Sequence, residues 1–250
     1  MRSIQDIKEE LQNAKKEQRE LLLREYRDDK RAGVRKLIAS WEKREAKLRE
    51  EISRVEALCA YEKKYQDYEM ICGVDEVGRG PLAGPVAAGA VILPKDCRIL
   101  YINDSKKLSA AKREALSEKI MEKAVSVGYG TVSPERIDEI GILNAVYEAM
   151  RKAIDSLSVQ PDLLLNDAVT IPGVEVPQVP IIKGDAKSIS IGAASIIAKV
   201  RRDHLMEEYD RIYPGYGFAS NKGYGSREHM EAIRKKGLCP IHRRSFVHQY

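Results

Sequence analysis

Along the first 70 residues Ile4, Ile7, Leu11, Ala14 and Leu21 or Leu22 recur at helical spacing among charged positions. The pattern breaks around Asp28-Asp29-Lys30-Arg31-Ala32-Gly33 and resumes with Val34, Ile38, Trp41, Leu48, Ile52, Val55 and Cys59. This spacing predicts two antiparallel helices joined by a short turn, the first opened by a capping box at Ser3 and Asp6. Residues 61–69 read as a polar linker. After residue 70 the pattern becomes that of an α/β domain. Apolar runs at 70–75, 85–93 and 128–132 predict three strands, and runs at 161–167 and 180–185, each ending in an acid, predict two more. Helical spacing covers 109–125, with Ala110, Leu116, Ile120 and Ala124 inward, a short stretch after Ser133-Pro134-Glu135, and 143–157, 188–209 and 226–236. Short strands alternating with such helices predict a sheet of about five strands flanked by helices, the later strands parallel. The expected organisation is a helical hairpin extension and linker over 1–69 and one α/β domain over 70–250.

Composition narrows the picture. A chain of 250 residues can hold one large domain and an appendage. A formal charge of +5 permits a nucleic-acid partner without demanding one. Close to half of residues 1–70 are charged, with both signs mixed. The preferred reading of that segment is a solvated appendage, and the other is an arm that grips a protein partner or extra nucleic acid. Without an 18-residue apolar run or an apolar amino terminus, a soluble, monomeric, cytoplasmic protein with no membrane contact is expected. Cys59, Cys72, Cys97 and Cys239 form no C-x-x-C pair and read as reduced thiols, the first two in the core. His204, His229, His242 and His248 form no ligand pattern and are expected to bind no metal.

The chemistry concentrates in residues 71–85, where Asp75 and Glu76 close an apolar run and Gly78, Gly80, Gly84 and two prolines follow. Neighbouring side chains on a strand face opposite sides, so the two acids share a site only if the strand ends or bulges there. A solvated turn is one reading. A dinucleotide-binding loop is a second, weakened because Pro81 and Pro85 interrupt the helix that must follow such glycines. The third is a metal site beside a glycine-lined backbone surface, and it gains from Asp167 and Asp185 at two later strand ends. Ligands collect beyond the carboxyl ends of strands in sheets of this type. Four crowded carboxylates need protons or cations, and their hard oxygens suit Mg²⁺ or Mn²⁺ in phosphodiester hydrolysis.

The motifs Asp75-Glu-Val-Gly-Arg-Gly80, Asn103-Asp-Ser-Lys106, Leu165-Asn-Asp167, Lys183-Gly-Asp-Ala-Lys187, the run from Ile191 to Lys199 and Lys222-Gly-Tyr-Gly225 resemble, in order, those of the ribonuclease HII family. The resemblance spans about 70–245. It implies a ribonuclease H-like fold, metal binding and catalysis by Asp75, Glu76, Asp167 and Asp185, and Mn²⁺ or Mg²⁺ as cofactor. It further implies that the backbone of Gly78, Arg79 and Gly80 and the Tyr224 hydroxyl read a ribonucleotide 2′-hydroxyl. RNA–DNA hybrids and DNA duplexes with embedded ribonucleotides are the implied substrates. A non-catalytic hybrid-binding module is the alternative. Ala168 stands where many relatives have glycine, and the intact Gly-Arg-Gly with Tyr224 favours type 2 over type 3 enzymes. Lys106, Lys183 and Lys187 are candidate phosphate contacts. Asp203 and Glu207 read as solvated, and the arginines of residues 240–246 as lying near the substrate groove.

Overall fold

The structure, a computed structural model, describes residues 2–247, so His248 lies outside the described residues. It forms two compact units that meet between Arg54 and Val55. The first unit holds α1 (Ile4–Asn13), α2 (Lys16–Glu25) and most of α3 (Ala32–Leu58). Ser3 and Asp6 form the expected capping box. The first helix of the expected hairpin is broken in two, because Ala14 turns extended and Arg19 bonds the carbonyl oxygens of Leu11 and Ala14 that the ended helix leaves open. Ile7, Leu11, Leu22, Leu23, Val34 and Ile38 form this unit's core. Gly33 lies in the first turn of α3 rather than in a connecting turn.

In the second unit the expected polar linker is partly the short helix α4 (Ala60–Lys64), and Tyr61, Tyr65 and Tyr68 pack on apolar residues of the sheet. The sheet consists of β1 (Ile71–Val77), β2 (Val86–Ile92), β3 (Ser126–Val132), β4 (Leu163–Asp167) and β5 (Gln178–Ile181). Its order is β3-β2-β1-β4-β5, antiparallel on the β3 side of β1 and parallel on the β4 side. The expected five-stranded mixed sheet with parallel later strands is what forms.

Helices cover both faces. On one, α7 (Ile142–Asp155) buries Val146, Met150 and Ile154 against Cys72, Val74, Ala88 and Ala90, with α6 (Pro134–Ile140) beside it. On the other lie α8 (Ile189–Ile212) and α5 (Ala110–Lys123), packed on Val91 and Leu93 with the end of α3. The close seat of α8 requires glycine below it: a Cβ on Gly73 would fall 2.0 Å from the Ser190 backbone, and one on Gly89 2.5 Å from the Ala194 carbonyl oxygen. Leu116 and Ile120 face inward as expected, whereas Ala110 is exposed in the first turn of α5. The chain then adds α9 (Phe218–Asn221) and α10 (Arg227–Lys236), packed through Phe218, Ala232 and Ile233 on Met206 of α8. Among the described residues no helix is long and apolar enough to cross a membrane.

Candidate active site

Asp75 and Glu76 lie on β1 without a bulge. The ladder to β2 runs unbroken through both acids to Val77, whereas the parallel ladder to β4 stops at Val74 and Asn166. The strand therefore ends on one side only, and both acids project beyond the parallel part of the sheet. Asp75 is buried on the α8 face, where Ser195 hydrogen-bonds its carboxyl and stands 3.0 Å from Ser105 Oγ. Burial raises the Asp75 carboxyl well above the usual range, and Glu76, Asp167 and Asp185 push it the same way. Glu76 is raised by burial and by Asp167, and lowered by Arg79, whose guanidinium stands 3.8 Å away, and by Lys106.

Asp167 ends β4, and its Oδ1 accepts the Gly184 N–H at 2.7 Å. This bond ties the loop after β5 to the site. Asp185 does not end its strand as the apolar run suggested: β5 stops at Ile181, and Asp185 lies in the following 3₁₀ turn, Gly184–Ala186. Its carboxyl is raised by burial, then by Asp104 and Asp167. Asp104, whose carboxylate caps the turn Ser105–Lys107, is a fifth acid that the sequence reading left unassigned. The structure thus gathers all four expected acids, and their hard oxygens and surplus negative charge fit divalent cations. Their side chains are not posed as ligands: among the described residues no three His, Cys, Asp or Glu side chains form a metal-holding group.

Beyond Glu76 the chain turns at Gly78, whose φ of +83° and position 2.1 Å (as Cβ) from Arg202 Nε admit only glycine. At Gly80 the nearest atom to an added Cβ is Tyr224 Cε1, 3.9 Å away, so the Tyr224 ring lies within van der Waals reach of the Gly80 position on this loop. Tyr224 and Arg79 are both exposed there. Two fully buried arginines hold this loop. Arg202 donates to the carbonyl oxygens of Pro85, Ala83 and Lys222, and Arg243 to those of Gly78, Arg79 and Gly84. Arg243 was expected at a substrate groove. Its guanidinium instead points inward, where backbone carbonyls replace the water it loses.

Of the lysines, Lys106 acts electrostatically on Glu76 and Asp185. Lys183 and Lys187 are exposed on either side of the Asp185 turn, and among the described residues no ion pair joins them to the acids. Asp203 is buried rather than solvated, because Lys199 at 2.5 Å and Arg113 at 3.4 Å clamp it between α5 and α8. Glu207 is half-buried and pairs with Lys222 at 2.7 Å.

A mixed sheet with helices on both faces, and carboxylates gathered beyond its parallel ladder, defines a nuclease of ribonuclease H-like fold. A crystal structure described as the ribonuclease H2 from Pyrococcus horikoshii OT3 is similar in fold, with a TM-score of 0.58 and 30% identity over 70% of this chain and 92% of that one. The family model for ribonuclease HII matches residues 72–249, and that for the ribonuclease HII N-terminal domain matches 3–66. The chain belongs to the ribonuclease HII family, which cleaves the RNA of RNA–DNA hybrids. It is 67% identical to the ribonuclease HII of Lachnoclostridium phytofermentans over 89% of this chain and 87% of that protein. Identity to the Clostridioides difficile ribonuclease HII is 51%, over 98% of this chain and 97% of the relative.

Proposed function

We propose that this member of the ribonuclease HII family also nicks DNA duplexes at single embedded ribonucleotides, on the 5′ side of the ribonucleotide, leaving a 3′-hydroxyl and a 5′-phosphate. The observation that carries the reading is the approach of the exposed Tyr224 ring to Gly80, 3.9 Å from an added Cβ, on the loop that leaves the acid-bearing strand. The 2′-hydroxyl, donor and acceptor at once, is what distinguishes RNA from DNA at one sugar. Backbone groups of Gly78, Arg79 and Gly80 meet it from one side and the Tyr224 hydroxyl from the other, so a single ribose suffices for recognition.

Asp75, Glu76, Asp167 and Asp185 hold the divalent metal on which the family depends, here Mn²⁺ or Mg²⁺, with side-chain rotation bringing the oxygens to ligating positions. When bound, the metal supplies Lewis-acid activation of water and stabilises the leaving 3′ oxygen. Ser195 holds the Asp75 carboxyl in place. Arg79 and Lys106 offset part of the negative charge that a phosphodiester meets on approach. Lys183 and Lys187, exposed beside the Asp185 turn, contact backbone phosphates. Residues 1–69 are an extension to the catalytic part, 70–250, and the enzyme works as a cytoplasmic monomer. Membership of a nuclease family leaves the non-catalytic binding module without support.

The test is a nicking assay on a DNA duplex carrying one ribonucleotide, with an all-DNA control, in Mn²⁺, Mg²⁺ and EDTA, with both new ends mapped. Metal-dependent cleavage 5′ of the ribonucleotide, abolished by Asp75→Asn and weakened by Tyr224→Phe, is expected. Cleavage of uniform hybrids but not of the single-ribonucleotide duplex would overturn the reading.

A further inference from the structure

Tyr224 presents an exposed ring, but its backbone is fixed from inside the protein by two buried imidazoles. His229 Nδ1 lies 2.8 Å from the Tyr224 carbonyl oxygen, which can only accept, so the hydrogen of this neutral ring sits on Nδ1. His229 Nε2 therefore accepts from Nε2 of its neutral neighbour His242 at 3.1 Å, leaving His242 Nδ1 to accept the Cys239 N–H at 2.9 Å. This placement runs the relay from the Cys239 N–H through His242 and His229 to Tyr224, and the Cys239 carbonyl oxygen, 3.2 Å from His242 Nδ1, takes no hydrogen from that ring.

The residue after His242 holds the other half of the site. Arg243 donates from its guanidinium to the Gly78 and Arg79 carbonyl oxygens, and its N–H bonds the Leu82 carbonyl oxygen. Ala83 pairs with His242 across an isolated bridge, and the Leu82 N–H bonds the Gly223 carbonyl oxygen. Two adjacent residues of one segment thus hold both the Gly78–Gly80 loop, through Arg243, and Tyr224, through His242 and His229. Packing alone does not call for imidazoles here. Tyr216 lies 5.1 Å from His242 and Phe218 5.3 Å from His229, centroid to centroid, a box that apolar rings fill without the cost of burying two polar ones.

We propose that His229 and His242 are positioning residues for ribonucleotide recognition: with Arg243 they set the Tyr224 hydroxyl against the Gly78–Gly80 backbone at the separation a 2′-hydroxyl needs. The proposal rests on the reading that these groups meet the 2′-hydroxyl, and its test separates the two.

The test is a double-mutant cycle on kcat/KM for the single-ribonucleotide duplex, using Tyr224→Phe, His229→Phe, both together, and His229→Asn. The two single variants are expected to lose about tenfold or more, the scale of one well-placed hydrogen bond. The double variant is expected to be no slower than Tyr224→Phe alone, because the imidazole acts only through that hydroxyl. His229→Asn, which keeps a donor for the Tyr224 carbonyl oxygen, is expected to restore most of the rate. An undiminished His229→Phe rate, or a loss that multiplies in full onto that of Tyr224→Phe, would overturn the proposal while the 2′-hydroxyl reading stands. A full rate in Tyr224→Phe would overturn both. If His229→Phe fails to fold, His242→Asn replaces it in the cycle, since it offers Cys239 an acceptor but ends the relay to His229.

Discussion

Arg243, which has no exposed surface, donates to the carbonyl oxygen of Gly78, the first residue past the acid-bearing strand. Burial and the neighbouring Arg202 push its guanidinium down to about 9, so this charge is held at a cost that the carbonyls of Gly78, Arg79 and Gly84 offset. Arg243→Met keeps the length of the side chain and removes the donors. It is expected to destabilise the protein by about 3 kcal/mol and to abolish ribonucleotide nicking, because two buried carbonyls and the half-buried one of Arg79 lose their partner together. Urea unfolding measures the first effect. A change below about 0.5 kcal/mol would mean that water replaces the guanidinium.

Asp75→Asn is expected to stabilise the protein while removing activity. The folded-state pKa of Asp75 is raised by burial and by Glu76, so the folded protein binds more protons here than the unfolded chain. Stability from this group is therefore fully present below the ordinary aspartate range and is lost as pH rises from there to the raised pKa of the folded state. Asparagine removes the charge, and the expected gain is a Tm rise of about 2–4 °C per kcal/mol relieved. Mn²⁺ or Mg²⁺ should raise the Tm of the wild type and do much less for the variant. Equal metal-induced shifts in a thermal melt would detach Asp75 from the metal site.

The acids were legible in the sequence because short apolar runs lead into them, although only Asp167 ends its strand, and Gly78 because a turn at positive φ suits glycine. What escaped is what tertiary contacts decide. The α1–α2 break carries no glycine or proline and depends on Arg19 reaching the ended helix. Asp203 looks solvated on a charged helix end until Arg113 arrives from α5. Arg202, Arg243, His229 and His242 gave no signal, since nothing in local spacing tells a buried arginine bonded to carbonyls from an exposed one near a phosphate. Asp185 lay within reach of the sequence, but the turn that displaces it from β5 begins at Lys183, held at a φ of +58° that its side chain does not announce.

The His229–His242 relay predicts acid sensitivity. Burial lowers both imidazoles, His242 to about 4, below the 6.5 of an exposed ring. Between those values the unfolded chain takes up a proton that the fold refuses, so stability falls as pH drops from about 6.5 and the loss is complete near 4. The groups in contact with the pair are the Cys239 thiol and the rings of Tyr216 and Phe218, and among the described residues no carboxylate pairs with either imidazole to favour an imidazolium. At pH 5 the loss from His242 alone is about 2 kcal/mol relative to pH 7. His242→Phe should flatten that part of the stability profile in urea titrations at pH 7, 6 and 5. An unchanged slope would show that the ring protonates freely in the fold.

The amino-terminal unit should be removable only if the cut respects where the second core begins. Val55, Leu58 and Cys59 at the end of α3 belong to the core under α5 and α8. Glu62 of α4 accepts bonds from the Ser188 hydroxyl and the Ser190 N–H, at the start of the helix that also carries Ser195. A chain beginning at Val55 keeps these contacts and is expected to fold and to nick the single-ribonucleotide duplex at a rate near that of the full protein. A chain beginning at Asp67 exposes the apolar underside of α8 and leaves its first turn without the Glu62 carboxylate. Loss of a buried cluster and a helix cap makes a deficit of about 3–5 kcal/mol reasonable for that cut. Circular dichroism melts and nicking rates on the two truncations decide the matter. A Val55 chain that melts like the full protein yet does not nick would place part of the enzyme's function in residues 1–54.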